Sequence, residues 1–176
     1  YEFLGMPFGL TNTPATFQSL VNQIFKPFLR KFVLVFLDDI LIYGPTLELH
    51  VQHLSMVLKV LQENQLHVMK SKCLFAQKEV QYLGIIITAN GVKMDNKKID
   101  YIVSWPRPMN VKGLRGFLGL TGYYRWFIKD YGLICKPLTE LLKKDGFQWT
   151  KEAELAFTKL NKVVILAPVL RLPDFC

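Results

Sequence analysis

Two adjacent aspartates, Asp38 and Asp39, interrupt an apolar run that extends from residue 33 to residue 43. A run this long is typical of two buried strands that meet at a turn. The pair is a poor turn sequence, since a two-residue hairpin favours Asn-Gly or Asp-Gly, and adjacent carboxylates repel. Water or a divalent cation must offset that repulsion. Carboxylate oxygens on a rigid hairpin suit Mg²⁺ or Mn²⁺ and phosphoryl transfer with two metal ions; a solvated acidic turn is the alternative.

Helices and short strands alternate around this pair. Thr13 as N-cap and Pro14 at the first helical position predict a helix before the hairpin. Gly44-Pro45 ends the hairpin, and a second amphipathic helix is expected to run to about residue 64. Its inward face is predicted to consist of Leu47, Val51, Leu54, Leu58 and Leu61.

The second half of the chain changes from strands to helices. Residues 1–6 and 66–94 are expected to contribute strands, with Asn90-Gly91 as a hairpin turn. From Asp95 onward the apolar spacing predicts helices over residues 97–105, 111–128, 133–144 and 151–166, with Gly146 closing the third. Strands and helices in one unit indicate an α+β layer architecture.

Charge is distributed unevenly along the 176 residues, whose formal net charge is +8. Residues 66–144 contain 14 Lys and Arg against 5 Asp and Glu, whereas the segments on either side are close to neutral. A basic region of this kind attracts polyanions, although an ordinary solvated surface has the same composition. No segment is long enough for a membrane span, so no membrane partner is expected.

The cysteines and the first residues of the sequence suggest a cellular compartment and a longer parent polypeptide. Three scattered cysteines, Cys73, Cys135 and Cys176, fit a reducing compartment better than a disulfide framework. The chain opens Tyr1-Glu2 with no initiator Met and no secretory signal, so we expect a part of a longer polypeptide.

Several motifs accompany the aspartates in a fixed order: MPFGLTNTPATFQ at 6–18, VQYLG at 80–84, FLGLTGYYR at 117–125, and Trp149-Thr150 followed by Ala156-Phe157. Together they resemble the reverse transcriptase of gypsy-type LTR retrotransposons, a relative of the retroviral enzyme. The resemblance covers essentially the whole chain. It implies an α+β fold: a partial right-hand polymerase palm with an antiparallel sheet and helices (residues 1–94), a helical thumb (95–145) and the start of a connection to an RNase H-like domain (146–176).

The resemblance assigns roles to residues of the palm. Asp38 would be the firmer metal ligand and Asp39 the weaker one, for two Mg²⁺ or Mn²⁺ ions in the complete enzyme. Phe8 and Gly9 would line the pocket of the incoming nucleotide, and Pro14 and Phe17 would shape the wall that faces the template. Lys70 or Lys72 would protonate the leaving pyrophosphate, unless both are simply solvated lysines.

Other roles concern the template and primer. Leu83-Gly84 matches the turn that grips the primer end, although Ile85 stands where the family often has His. Glycines recur every third residue from Gly113 to Gly122, and each costs about 1 kcal/mol of helix propensity relative to Ala. A stripe without side chains lets another backbone approach, and the resemblance places it in the minor groove of the primer–template duplex; helix packing is the alternative. Basic and aromatic neighbours suited to a sugar-phosphate backbone are Arg115, Tyr123, Tyr124, Arg125 and Trp126.

The implied function is RNA-directed DNA synthesis, with dNTP, a primed RNA or DNA template and the remaining parts of a Pol polyprotein as partners. The family's third catalytic aspartate lies on a strand expected before Tyr1, so the chain alone is expected to be inactive. The expected location is the cytoplasm or a virus-like particle, or else the nucleus.

Two further readings come from outside this assignment. A non-catalytic, transposon-derived nucleic-acid-binding protein remains the alternative. A magnesium-dependent lyase or prenyl synthase is disfavoured, because its aspartate motif needs a third acid close by. His50, His53 and Cys73 lack the spacing of a zinc site and are taken as packing or surface residues.

Overall fold

The structure is a computed structural model that describes residues 9–143 and 147–171. The chain divides into two compact units, residues 1–77 and 78–176. Phe8, the expected strand at residues 1–6, and Gly146 lie outside the described residues. The helix predicted over residues 133–144 instead spans Tyr131–Glu140, so its predicted end was wrong. The palm, thumb and connection boundaries are assignments of family regions, and they stay a prediction.

The first unit consists of helices packed on a hairpin. α1 packs on β1, and α2 packs on β2, over a core centred on Phe25, Val33 and Val57. The helices are α1 (Thr13–Phe25) and α2 (Leu47–Glu63), the antiparallel strands are β1 (Val33–Phe36) and β2 (Asp39–Ile42), and a 3₁₀ turn follows at Lys70–Lys72.

Two expectations for the first unit were wrong in detail. Thr13 is the first residue of α1 rather than its cap, and the capping position is Asn12, which makes no side-chain capping hydrogen bond. The hairpin is also less buried than predicted: of its strand residues only Val33 is fully buried. In the part of the chain that the structure describes, β1 and β2 form a two-stranded sheet, and beside it there is only an isolated bridge from Val33 to Leu29.

The inward face of α2 also differs from the prediction. Val57 and Leu61 are its buried residues, whereas Leu47, Val51 and Leu58 are 61%, 55% and 45% exposed. Apolar side chains surround most of this helix, so its period does not specify a single face. The hairpin and α1 cover only the side that presents Val57 and Leu61.

The second unit joins a three-stranded antiparallel sheet to a group of helices. The sheet order is β3-β4-β5, and Met94 at its end belongs to the same core as Leu114, Phe117 and Leu160 of the helices. The strands are β3 (Glu79–Tyr82), β4 (Ile85–Thr88) and β5 (Gly91–Met94), and the helices are α3 (Asn96–Val103), α4 (Val111–Tyr123), α5 (Tyr131–Glu140) and α6 (Lys151–Ile165).

The predicted hairpin at Asn90-Gly91 is present, one residue out of register. Ala89 and Asn90 form the turn, and Gly91 pairs with Thr88 as the first residue of β5. Gly91 has a φ of +133°, and a Cβ there would lie 2.1 Å from the backbone oxygen of Leu170, which accepts a hydrogen bond from Val92. Glycine is therefore required by backbone pairing with Leu170 as well as by its dihedral angle.

Side-chain caps fix where three of the helices begin. Asp95 accepts from the Lys97 amide before α3, Asn110 from the Gly113 amide before α4, and Thr150 from the Ala153 amide before α6. α4 ends five residues earlier than predicted, at Tyr123, and continues as a 3₁₀ turn over Arg125–Phe127. The buried side chains of Phe127 and Ile128 turn this segment into the core. No helix in the described ranges is both long and apolar enough to cross a bilayer.

Candidate acidic site and nucleic-acid interface

The acidic pair of the first unit is divided between a turn and a strand. Leu37 and Asp38 are the turn residues, and Asp39 is the first residue of β2, paired with Phe36. The turn is therefore not Asp-Asp, as expected, but Leu-Asp. Leu37 has a φ of +50°, in the left-handed region where a branched side chain costs about 1–3 kcal/mol.

Gln18 of α1 stabilises this strained turn. Its Oε1 accepts the Leu37 N–H at 2.6 Å, and its Nε2 lies 3.5 Å from the carbonyl oxygen of Val35. Sequence reasoning gave Gln18 no role, although it closes the motif at 6–18 and lies one helical turn after Pro14. The glutamine thus connects α1 to the segment that carries both aspartates.

The aspartates offer hard oxygen ligands without a complete metal site. Both carboxylates are exposed to solvent. Across residues 9–143 and 147–171 no three His, Cys, Asp or Glu side chains are grouped closely enough to hold a metal ion. The donor chemistry fits Mg²⁺ or Mn²⁺, but the number of protein ligands falls short of a fixed octahedral site.

The other palm residues singled out from the sequence occupy separate places in the first unit. Gly9 has a φ of +100°, and within residues 9–143 and 147–171 no heavy atom lies within 4 Å of where its Cβ would be; Pro14 is exposed on the first turn of α1. Phe17 packs against the core. Lys70 and Lys72 lie on the 3₁₀ turn, both exposed.

His53, one of the two histidines of α2, serves packing. His53 stacks on Phe32 with ring centroids 3.9 Å apart, and its Nδ1 lies 2.9 Å from the Tyr43 carbonyl oxygen. Burial raises the pKa of Tyr43 above its ordinary value.

In the second unit, α4 presents three of the predicted nucleic-acid residues along one face. Arg115, Gly119 and Tyr123 are spaced four residues apart, and all three are exposed. Gly119 would have no heavy atom within 4 Å of an added Cβ. Beyond the helix, the Arg125 guanidinium lies 5.3 Å from the ring centre of Trp126, which is 75% exposed. A basic and aromatic surface with an open backbone position is thus continuous along α4.

The glycines of α4 do not all face this surface. A Cβ at Gly116 would lie 3.3 Å from the Trp105 ring, and one at Gly122 would lie 3.4 Å from the Tyr131 hydroxyl. Gly113 packs near Asn110 and Pro108. The predicted glycine stripe therefore serves internal packing at these positions and leaves only Gly119 of the four facing open space.

The same face of α4 leads to the turn between β3 and β4. The Tyr123 hydroxyl donates to the carbonyl of Leu83, and the Tyr124 hydroxyl donates to the carbonyl of Gly84 at 2.9 Å. Five residues predicted to meet template or primer are thereby brought together: Leu83, Gly84, Arg115, Gly119 and Tyr123. Tyr124, which the sequence placed beside the stripe, is instead buried and ties the turn to the helix.

Comparison with known proteins identifies relatives. Residues 1–87 match the family model described as reverse transcriptase (RNA-dependent DNA polymerase). The chain is 46% identical over 177 aligned residues to the retrovirus-related Pol polyprotein from transposon 297 of Drosophila melanogaster, covering 99% of this chain and 17% of that protein. It is 51% identical over 124 residues to an uncharacterized mitochondrial protein of Arabidopsis thaliana, covering 69% of this chain and 78% of that protein.

Solved structures agree with this relationship. The foamy viral protease-reverse transcriptase in complex with double-stranded DNA superimposes with a TM-score of 0.86 at 29% identity, covering 96% of this chain and 30% of that one. Its complex with an RNA/DNA hybrid gives 0.81 at 28% identity, covering 94% and 23%. The chain thus spans about a sixth of the Pol polyprotein it matches and less than a third of either viral chain. On sequence and fold together, the chain belongs to the reverse transcriptase family of LTR-retrotransposon Pol polyproteins.

Proposed function

We propose that this chain is the part of an RNA-directed DNA polymerase that holds the primer–template duplex and supplies two of its catalytic carboxylates. The observation that carries the proposal is the exposed face of α4, where Arg115, Gly119 and Tyr123 lead to the Leu83-Gly84 turn. The two strands of a duplex can approach such a face closely because Gly119 has no side chain. The foamy viral relatives were solved with an RNA/DNA hybrid and with double-stranded DNA, which supports a duplex as the ligand.

Charge supports the same ligand. The segment from residue 66 to residue 144 has 14 basic and 5 acidic side chains, and it contains α4 and the β3–β4 turn. Arginines on this surface would neutralise phosphates, which fixes the register of the duplex without reading its sequence. The Leu83-Gly84 turn would contact the primer end, and Pro14 and Phe17 would contact the template.

The acidic hairpin would provide the chemistry. Asp38 and Asp39 would hold Mg²⁺ or Mn²⁺ through carboxylate oxygens, with a further acid from elsewhere in the Pol polyprotein. When bound, two such ions stabilise the attacking and leaving oxygens of an in-line phosphoryl transfer. The chain's own contribution is to fix the two carboxylates, through the β1–β2 register and the hydrogen bond from Leu37 to Gln18.

Other groups would act on the nucleotide. Phe8 and Gly9 would line the dNTP pocket, where the open space at Gly9 admits a sugar or phosphate close to the backbone. Lys70 or Lys72, both exposed, would donate a proton to the leaving pyrophosphate. Cys73 and Cys135 are free thiols, in keeping with a reducing location such as the cytoplasm, a virus-like particle or the nucleus.

Duplex binding tests the proposal directly. We expect the 176-residue chain to bind RNA–DNA hybrid and duplex DNA of any sequence, with an affinity that falls steeply as salt rises. Arg115→Ala and Arg125→Ala should each weaken binding on every sequence alike and lower the salt slope by about one. Lys159→Ala, which removes an exposed lysine of α6, is the matched control and should have little effect. Loss of affinity in that control alone would place the duplex elsewhere.

A second candidate is a non-catalytic nucleic-acid-binding protein. It is favoured by the absence of a three-acid cluster among the described residues. Primer extension separates the two: the chain alone should stay at background, and a chimera carrying the corresponding upstream region of the transposon 297 relative should extend a primer. If that chimera is inactive, or if Asp38→Asn leaves its activity intact, the catalytic proposal is wrong.

A further inference from the structure

The turn between β3 and β4 has an unfavourable backbone for its sequence. Leu83 and Gly84 are its two central residues, with φ of +50° and +76°. Left-handed conformations at both positions suit the twist of a two-residue hairpin, but a leucine there is disfavoured by contact between its Cβ and the backbone. The carbonyls of the two turn residues also lie outside the β3–β4 pairing, which runs from Glu79 with Thr88 to Tyr82 with Ile85. Something outside the hairpin must hold it.

Two consecutive tyrosines at the end of α4 bind these two consecutive carbonyls. The Tyr123 hydroxyl donates to Leu83 O at 2.5 Å, and the Tyr124 hydroxyl donates to Gly84 O at 2.9 Å. The tyrosine rings pack edge to face with centroids 4.9 Å apart, so each ring restricts the other. The turn is thus fixed at two points, from one helix end.

The absence of a side chain at Gly84 allows the contact with Tyr124. A Cβ at Gly84 would lie 3.0 Å from the Tyr124 hydroxyl oxygen, so any side chain would push that hydroxyl away. Tyr124 is 2% exposed, and its burial raises the pKa of the phenol above its ordinary value. Tyr123, in contrast, is 55% exposed, so its hydroxyl can be removed without opening the core.

We propose that Tyr123 and Tyr124 are positioning residues, which hold the Leu83-Gly84 turn in one orientation against the end of α4 and thereby align the primer 3′ end. This inference rests on the proposed function, which assigns that turn to the primer. The body of the duplex is held by charge at Arg115 on α4 and at Arg125 on the 3₁₀ turn that follows it. Removing the hydroxyls should therefore disturb the primer terminus more strongly than the affinity for the duplex, because the phenylalanine variants keep both rings and both arginines.

A fluorescent base at a defined position of the duplex tests this separation. The full chain and its Tyr123→Phe, Tyr124→Phe and double variants are titrated with an RNA–DNA hybrid that carries 2-aminopurine either at the primer 3′ end or in mid-duplex. We expect the terminal signal on binding to fall by roughly five-fold in each single variant, the size of one lost hydrogen bond, and further in the double variant, while the internal signal and Kd change by a smaller factor. Tyr101→Phe, which removes an exposed hydroxyl on α3, is the matched control and should behave like the parent.

The outcomes distinguish this inference from the proposed function. If the parent binds the duplex and the variants keep the full terminal signal, the positioning role is wrong and the proposed function stands. If the terminal signal, the internal signal and the affinity for the duplex all fall together with the melting temperature, the tyrosines merely support the fold, and the inference is overturned. If the parent binds neither duplex, the proposed function and the inference fall together. If Tyr124→Phe does not fold, the terminal signal of Tyr123→Phe alone decides the test, because Tyr123 is exposed.

Discussion

Among single residues, Gly119 and Gly116 differ only in what lies opposite their missing side chains. Both lie on α4, where glycine costs about 1 kcal/mol of helix propensity. Gly119 faces open space and Gly116 faces the Trp105 ring at 3.3 Å. Gly119 lowers the stability of the helix and packs against no other part of the fold, so its open face is suited to contact with another molecule.

We predict that Gly119→Leu lowers duplex affinity at least tenfold, about 1.4 kcal/mol, while the melting temperature stays level or rises. The branched side chain would occupy the space that a backbone needs. Anisotropy titration and thermal unfolding measure the two effects. Gly116→Leu is the matched control, since it drives a side chain into Trp105 and should lower the melting temperature by several degrees. If Gly119→Leu instead unfolds the chain, the Gly119 face of α4 packs against another part of the fold and does not bind the duplex.

The aspartates make a second prediction about individual side chains. Two exposed carboxylates without a third acid should bind Mn²⁺ weakly, at about millimolar concentration or above. Paramagnetic broadening of amide signals should centre on Asp38 and Asp39 and disappear in Asp38→Asn. Asp130→Asn controls for a general loss of charge. Asp130 is also exposed, and asparagine tolerates the left-handed backbone conformation at that position. Broadening centred away from the hairpin would show that the site is misassigned.

Among the elements, β5 depends on a glycine that the hairpin pattern does not explain. The sequence indicated a turn at Asn90-Gly91, but Gly91 is a strand residue whose Cα lies against the backbone of Leu170. Pairing between Val92 and Leu170 brings the end of the described chain back to the sheet. Such a contact between distant segments has no local sequence signal.

Replacing Gly91 with Ala should therefore destabilise the second unit by about 2 kcal/mol or more, because its dihedral angle is strained for alanine and its Cβ would overlap Leu170 O. Urea unfolding measures the loss. Gly132→Ala is the control: it lies in α5 with nothing within 4 Å of its Cβ, and should be neutral or stabilising by up to about 1 kcal/mol. Equal stability of the two variants would contradict the pairing with Leu170.

What the sequence could predict follows from how local each signal is. The acidic hairpin, the Asn90-Gly91 hairpin and the helix starts at Val111 and Lys151 depend on neighbouring residues, and all are present. The buried face of α2 and the early end of α4 depend on which other elements lie alongside, so periodicity alone could not decide them. The links from Gln18 to Leu37 and from Tyr124 to Gly84 join residues far apart in sequence, and no spacing rule identifies such pairs.

At the scale of the whole molecule, the second unit buries several groups that ionise at high pH. Burial raises the pKa of Tyr131, Tyr124 and Cys135 above their ordinary values. The Tyr131 hydroxyl lies 3.0 Å from that of Thr121, inside the contact between α4 and α5. Folding therefore favours the neutral, protonated form of each group.

The direction of these shifts predicts alkaline unfolding. Below the unfolded pKa, about 10 for tyrosine, both states hold the proton and stability is unaffected. Above it the unfolded chain releases protons that the fold retains, so the free energy of unfolding falls by up to about 1.4 kcal/mol per pH unit for each group. Urea unfolding at a series of pH values between about 8 and 11 should show this decline in the free energy of unfolding, with a slope of that order.

Tyr131→Phe should flatten the alkaline decline, because it removes the phenol that titrates, at a cost of about 1 kcal/mol at neutral pH from the lost hydrogen bond. Thr121→Val is the matched control, since it breaks the same hydroxyl contact but leaves the phenol in place. Its stability should also be lower at neutral pH, and its decline should remain as steep as that of the parent. Parallel pH curves for the parent and Tyr131→Phe would mean that the buried phenol does not set the alkaline limit, and that other groups of the second unit do.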